Sequence, residues 1–155
     1  MARPMPLPEK VRWMILVAGL TASIPLYAVV AFFVLSTSET PVDPTPTLLR
    51  FVFYGAAFLV SWAALRVAPR VGTDPEKALA FDAFLRRTIF SLALAEVSAI
   101  LGLVLFFLSR NLGDFLVLAG LALAVIVLGI VPRGLRWFRL REQAATGGAP
   151  PLGPA

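Results

Sequence analysis

The sequence predicts an all-α membrane protein, a four-transmembrane-helix bundle with short interfacial amphipathic segments, on three observations. The chain has 155 residues, of which 59% are hydrophobic, and its mean hydropathy is +0.85, beyond the apolar share of an ordinary soluble domain. Four apolar runs are long enough to cross a hydrocarbon core of about 30 Å, which takes roughly 20 helical residues. The basic residues lie at the ends of these runs and mostly on one side, as the positive-inside rule describes.

The four predicted spans follow one another along the chain. They cover Val11–Leu35, Leu48–Val67, Thr88–Leu108 and Phe115–Val131. Each is expected to be helical, because a segment in lipid has to satisfy its backbone hydrogen bonds internally. The length suits a single domain, so we expect one membrane domain over residues 1–141. A disordered tail rich in Gly and Pro is expected over residues 142–155.

The first predicted span contains Thr21, Ser23 and Pro25 near its middle. Proline lacks a backbone N–H and clashes one turn back, so a kink is expected between Thr21 and Pro25. The charged start of this run also suits a cleaved signal peptide. Its apolar stretch, however, is much longer than a signal-peptide core of about 7–15 residues, which favours a retained span.

Two connections between the spans carry local signals. The external loop of residues 36–47 is rich in proline and mildly acidic, which indicates a solvated connector or, alternatively, a docking loop for an extracytoplasmic partner. In the connection before the third span, Thr73 or Asp74 can cap a helix that starts at Pro75. Apolar residues recur from there at helical spacing, namely Ala78, Phe81, Phe84, Leu85 and Thr88. We expect an amphipathic segment at the interface; one continuous helix into the third span is the alternative.

The distribution of Lys and Arg predicts a multi-pass protein of the cell membrane with both termini in the cytoplasm. If four helices alternate, every Lys and Arg except Arg50 and Arg110 falls on one side, and that side is cytoplasmic by the positive-inside rule. The segment after Pro132 is both basic and aromatic. Four arginines in it are expected to contact anionic lipid headgroups, each contributing about 1 kcal/mol. They are Arg133, Arg136, Arg139 and Arg141.

Small residues predict where the helices pack. Lipid offers no hydrophobic drive for helix association, so close contacts form where small side chains let two backbones approach. The positions expected to do this are Gly55, Ala95, Ala99, Gly102, Gly120 and Ala124. Such seams suit packing within the bundle, self-association or assembly with other membrane subunits.

Glu96 is the only acidic residue deep inside a predicted span and the best pointer to function. A carboxylate at that depth costs about 2.5–3.5 kcal/mol on insertion scales, so it needs a partner, a proton or an ion. No Lys or Arg lies at its depth, and desolvation favours the neutral form. The candidate partners are the hydroxyls of Thr21, Ser23, Tyr27 and Ser61, and the carbonyl that Pro25 frees. The Glu96 carboxyl then either makes an interhelical hydrogen bond or titrates during H⁺ or Na⁺ transport.

The segment around Glu96 carries a family resemblance. Residues 91–105 read Ser-Leu-Ala-Leu-Ala-Glu-Val-Ser-Ala-Ile-Leu-Gly-Leu-Val-Leu, with the Glu after a run of small residues. This stretch resembles the carboxylate helix of rotary ATPase proteolipids, the c-ring subunits. The matching positions are Ala95, Glu96, Ile100, Gly102, Leu103 and Val104. The resemblance is local to this segment, and it implies that Glu96 binds and releases a proton.

Composition excludes several functions. With no His and no Cys, haem ligation, zinc sites, thiol catalysis and disulfides would need another chain. The sequence has no phosphate-binding glycine loop and no metal-ligand spacing, and its basic residues form no single patch for nucleic acid. We therefore expect no enzyme activity, cofactor, metal or nucleic-acid partner.

The expected role follows from these exclusions. The sequence favours a structural or accessory subunit of a membrane complex, or a self-associating bundle. Its expected partners are the lipid bilayer, anionic headgroups and other membrane subunits or further copies of the chain. The alternative is a proton- or sodium-handling membrane protein that uses Glu96 as its intramembrane carboxylate.

Overall fold

The computed structural model describes residues 8–37, 46–69 and 80–147, and within these ranges the chain is helical, with no strand. The elements are α1 (Glu9–Thr21), α2 (Ser23–Thr37), α3 (Thr47–Val67), α4 (Phe81–Ser109), α5 (Leu112–Ala124), a π-helical segment (Val125–Ile130) and α6 (Val131–Gly147). They join into four long helices that are apolar enough to cross a membrane, at Glu9–Thr37, Thr47–Val67, Phe81–Ser109 and Leu112–Ala144. This confirms the all-α prediction with four candidate spans.

The third long helix, α4, is the most buried of the four. It packs against α3, α5 and both halves of the first long helix. Its contact with α5 is close at Gly102, where an added Cβ would lie only 2.9 Å from the Cβ of Leu118. A backbone therefore approaches α5 at a position that no larger residue could occupy without displacing its neighbour. Because α4 is central, the residues on its faces decide how the bundle is held together.

The first long helix is interrupted where a kink is expected. α1 ends at Thr21 and α2 begins at Ser23, with Ala22 between them. Pro25 has no N–H with which to bond one turn back, which weakens the helix at this point. Two hydroxyls bond to carbonyls of the preceding turn, Thr21 Oγ1 to Val17 at 2.7 Å and Ser23 Oγ to Leu20 at 2.7 Å. These bonds satisfy the two hydroxyls within their own helix.

The fourth long helix continues past its expected end at Val131. The π-helical segment lies directly before Pro132, and the Val131 N–H donates to the Ile126 carbonyl, five residues back. The extra residue in that turn lets the helix pass a proline that cannot donate to Leu128. α6 then extends to Gly147, so the first part of the tail expected over residues 142–155 is helical. Residues 148–155 lie outside the described residues.

The third long helix begins before the expected start of its span at Thr88. α4 runs unbroken from Phe81 to Ser109, which agrees with the continuous-helix interpretation over the described part. The expected cap at Thr73 or Asp74 lies outside the described residues, together with most of the proline-rich loop, residues 38–45. Arg3, Arg70 and Lys77, which contributed to the orientation prediction, also lie outside them.

The beginning and the end of the described chain meet at one end of the bundle. Lys10 Nζ lies 3.5 Å from Glu142 Oε1, and Arg141 pairs with Glu9. Below these ion pairs, four buried aromatic side chains form a cluster, which we call the aromatic cluster: Trp13, Phe84, Trp137 and Phe138. Phe84 and Trp137 stack with ring centroids 4.3 Å apart. The starts of α1 and α4 and the end of the fourth long helix therefore share one end of the bundle.

Candidate functional site

The Glu96 carboxyl has one hydrogen-bond partner among the described side chains. Tyr27 Oη donates to Glu96 Oε1 at 2.7 Å. Glu96 lies near the middle of α4 and is half-buried, and Tyr27 lies in α2, shortly after the break at Ala22. The bond therefore joins the first long helix to the third in the middle of the bundle.

The other hydroxyls expected near Glu96 have different partners. Thr21 and Ser23 donate to carbonyls of their own helix. Ser61 lies in a different seam, where its Oγ is 2.8 Å from Ser98 Oγ. Of the four candidate hydroxyls, the structure brings Tyr27 to the carboxyl. Tyr27 reaches it because the first long helix passes α4 on the Glu96 face, whereas Ser61 approaches α4 from the Ser98 face.

A second polar seam joins α3 to α4. Ser98 Oγ donates to the Ala57 carbonyl at 3.1 Å, and Ser91 Oγ donates to the Ala64 carbonyl at 2.7 Å. Ser61, Ser91 and Ser98 are all buried. We call these three residues the serine seam. Ser91 and Ser98 are seven residues apart, a spacing that places both on one face of a helix, and this spacing is the signal in the sequence that reveals the seam.

The residues expected to pack helices fall into two groups. Ala95, Ala99 and Gly102 are buried on α4, between the helices that surround it. The others are exposed on the outside of the described bundle: Gly55, Gly120 and Ala124. A Cβ added at Gly55 or Gly120 would meet nothing within 4 Å. Two of these outer positions thus leave open space that a helix from another molecule could approach.

A polar cluster that sequence analysis missed lies at the other end of the bundle. Asp114 is buried, 6% exposed, and three side chains surround its carboxylate. Tyr54 Oη donates to Oδ1 at 3.0 Å, Ser109 Oγ donates to Oδ2 at 3.2 Å, and Arg50 Nε lies 3.5 Å from Oδ2. We call Arg50, Tyr54, Ser109 and Asp114 the outer polar cluster. It joins the start of α3 to the start of α5.

Local helix chemistry explains why Asp114 lies there. Asn111 caps α5, and its side-chain oxygen accepts from the Gly113 N–H at 2.9 Å. Asp114 follows in the first turn, where the positive end of the helix dipole stabilises a carboxylate. Arg50 is one of the two basic residues that fall outside the expected cytoplasmic side, and Asp114 supplies its counter-charge. The missed signal was the pairing of an isolated Arg with an isolated Asp at two helix starts.

Two of the four arginines expected to contact lipid headgroups are bonded within the protein. Arg133 Nη1 donates to the Leu65 carbonyl at 2.8 Å, at the end of α3. Arg141 pairs with Glu9, and its guanidinium lies 4.9 Å from the ring centre of Trp137. Arg136 and Arg139 are exposed. Headgroup contact by all four stays a prediction, and Arg133 and Arg141 also hold helices together.

The described residues contain no group of three or more acidic, His or Cys side chains that could hold a metal ion. Comparisons of the chain with protein-family models, with curated proteins and with solved structures find no match. The proteolipid resemblance of residues 91–105 therefore gains no support from them.

Proposed function

We propose that this protein is a structural or accessory subunit of a complex in the cell membrane, or a self-associating bundle, with no catalytic role, and that Glu96 joins its helices. The bond from Tyr27 to Glu96 at 2.7 Å carries the proposal. It connects two long helices at a depth where an unpaired carboxyl is costly. Interhelical hydrogen bonds of this kind contribute roughly 0.6–2 kcal/mol.

The serine seam supports the proposal that polar side chains of this protein hold its helices together. Each of its hydroxyls is bonded to α3 or α4, either to a backbone carbonyl or to another serine. These groups are buried and satisfied by the neighbouring helix, which is the arrangement expected of groups that fix helix positions. A transport path would instead need polar groups that connect the carboxyl to both sides of the membrane.

The outer surface supports an accessory role. The second long helix exposes large apolar side chains, including Phe51, Phe58 and Leu59. Gly55 lies among them, with open space where a side chain would begin. In a bilayer such a face contacts lipid or a further helix, and a glycine lets a partner backbone come close. We propose that another membrane subunit or a second copy of this chain packs on this face.

Two substitutions at Glu96 test the structural role. In Glu96→Gln the amide oxygen still accepts from Tyr27, so we expect stability in mild detergent and co-purification of partners to match the unaltered protein. In Glu96→Leu the acceptor is gone and the Tyr27 hydroxyl loses its partner. We expect that variant to unfold at lower denaturant. Equal behaviour of Glu96→Leu and the unaltered protein would contradict the structural role.

One observation favours ion handling as a second candidate. Glu96 is half-buried rather than fully buried, and its partner Tyr27 follows the break in the first long helix. Reaction with dicyclohexylcarbodiimide tests it, because this reagent modifies protonated carboxyls in apolar surroundings. Ion handling would be established by two results together. Na⁺ would prevent the labelling of Glu96, and Glu96→Gln would abolish ion flux in proteoliposomes. Intact flux in Glu96→Gln would end it.

A further inference from the structure

A polar cavity of about 390 Å³ lies where α3 ends and α4 has begun. Four described residues line it: Arg66, Val67, Ala68 and Arg87. It differs from the larger cavity of about 550 Å³ between the first and fourth long helices, which is lined almost wholly by apolar side chains. The polar cavity belongs to neither the Glu96 site nor the outer polar cluster.

The charges around this cavity favour an anion. Two of its four described lining residues are arginines, and none is acidic. Two positive side chains that line one space repel each other, and an anion bound between them would replace that repulsion with attraction. Guanidinium groups bind phosphate and carboxylate through paired N–H donors, and Arg is the side chain best suited to this geometry.

Arg66 is positioned in advance. Its guanidinium lies 4.5 Å from the ring centre of Trp62, one turn earlier on α3. A cation that already stacks on an aromatic ring loses less conformational freedom when it binds a ligand. The cavity is therefore lined by two exposed arginines, Arg66, whose guanidinium already stacks on Trp62, and Arg87 from the neighbouring helix.

The location points to the class of ligand. Trp62 is exposed on the outer surface of α3, and exposed tryptophans of membrane helices belong at the level of the headgroups. The cavity lies at the end of α3 and the start of α4, the end of the bundle that also carries the aromatic cluster. We propose that Arg66 and Arg87 bind a phosphate group in this cavity. A glycerophospholipid headgroup and soluble phosphate both carry that group, and only the lipid source rests on the proposed membrane placement.

Binding measurements on the full chain in dodecylmaltoside micelles test the proposal. Dioctanoyl phosphatidic acid and inorganic phosphate are titrated separately, and dioctanoylglycerol, which lacks the phosphate group, serves as the control. The variant is Arg66→Gln with Arg87→Gln. The matched control is Arg12→Gln with Arg86→Gln, which removes the same charge from exposed positions outside the cavity. Arg66→Lys with Arg87→Lys keeps the charge but loses the paired donors.

We expect saturable binding that weakens about tenfold for each guanidinium lost and less than twofold in the control variant. Saturable binding of phosphatidic acid alone assigns the lipid headgroup, and binding of inorganic phosphate assigns a soluble source. Equal weakening in both Gln pairs, or no saturable binding of either probe, would overturn the proposal.

Each variant's elution profile and unfolding midpoint are measured alongside. If the Gln pair does not fold, the Lys pair decides, with weaker binding expected at unchanged stability. Failure here leaves the role of Glu96 untouched, since neither arginine contacts it.

Discussion

Three polar residues of α4, Glu96, Ser91 and Ser98, are each hydrogen-bonded to a neighbouring helix. Glu96 meets Tyr27, Ser98 meets Ser61 and Ala57, and Ser91 meets Ala64. A membrane protein gains from such pairing because unsatisfied polar groups in lipid are expensive. The sequence showed that Glu96 needed a partner and included Tyr27 among four candidates. It could not choose between them, because that choice depends on which helix passes which face of α4.

The serine seam leads to a prediction about Ser98. Ser98→Ala removes the bonds to Ser61 and to the Ala57 carbonyl, and we expect a loss of roughly 0.6–2 kcal/mol in unfolding free energy. Ser36→Ala is the control, since Ser36 is exposed and its hydroxyl bonds to the Phe33 carbonyl of its own helix. Unfolding in mixed micelles with increasing dodecyl sulfate measures both. Equal midpoints for the two variants would show that the seam contributes nothing.

Two glycines form a matched pair for a second prediction. An added methyl at Gly102 would press on Leu118, whereas one at Gly55 would meet nothing within 4 Å. We expect Gly102→Ala to lower the unfolding free energy by about 1–3 kcal/mol through overpacking. Gly55→Ala should leave it unchanged or slightly higher. The same dodecyl sulfate titration decides, and a stable Gly102→Ala protein would contradict the close approach of α4 and α5.

At the scale of helices, the sequence located the four long elements but not all of their ends. The break near Pro25 was expected, because the effect of proline on a helix is local. The passage of the fourth long helix through Pro132 was not expected. It depends on a π-helical turn, and no residue pattern in the sequence indicates that this turn contains an extra residue. The continuation to Gly147 involves Glu142, which pairs with Lys10 across the bundle. A contact between residues so far apart in the sequence cannot be predicted from a local residue pattern.

The outer polar cluster yields a prediction about the joint between α3 and α5. Arg50→Gln leaves the buried Asp114 without its counter-charge, and adding Asp114→Asn removes the charge that was left. We expect the double variant to be more stable than the sum of the two single changes, by about 0.5–1 kcal/mol. This expected coupling energy is modest because the Arg50 side chain is 36% exposed. Strict additivity would show that the two charges do not interact.

At the scale of the whole molecule, the even number of long helices agrees with the meeting of Glu9 with Arg141 at one end of the bundle. The distribution of basic residues predicted the same arrangement from a different property. The sequence therefore anticipated the four long helices of the described chain, since hydropathy acts over whole helices. The outer polar cluster and the polar cavity were hidden, because each is assembled from residues of different helices that only the fold brings together.

Orientation is testable in the intact protein because the chain has no cysteine, so a single introduced thiol reacts without background. Thr47→Cys lies at the start of α3, and Arg139→Cys lies on α6 at the opposite end; both positions are exposed. We expect a membrane-impermeant maleimide to label Thr47→Cys in intact cells and Arg139→Cys only after permeabilisation. The reverse pattern would mean that both termini face outward.

The most direct measurement of the central claim is a double-mutant cycle between Tyr27 and Glu96. Tyr27→Phe, Glu96→Leu and the double variant are unfolded in mixed micelles, and their free energies are compared with that of the unaltered protein. If the hydrogen bond joins the first and third long helices, the coupling energy should be roughly 0.6–2 kcal/mol. Additive losses, with a coupling within about 0.3 kcal/mol of zero, would mean that Glu96 does not hold the bundle together through Tyr27.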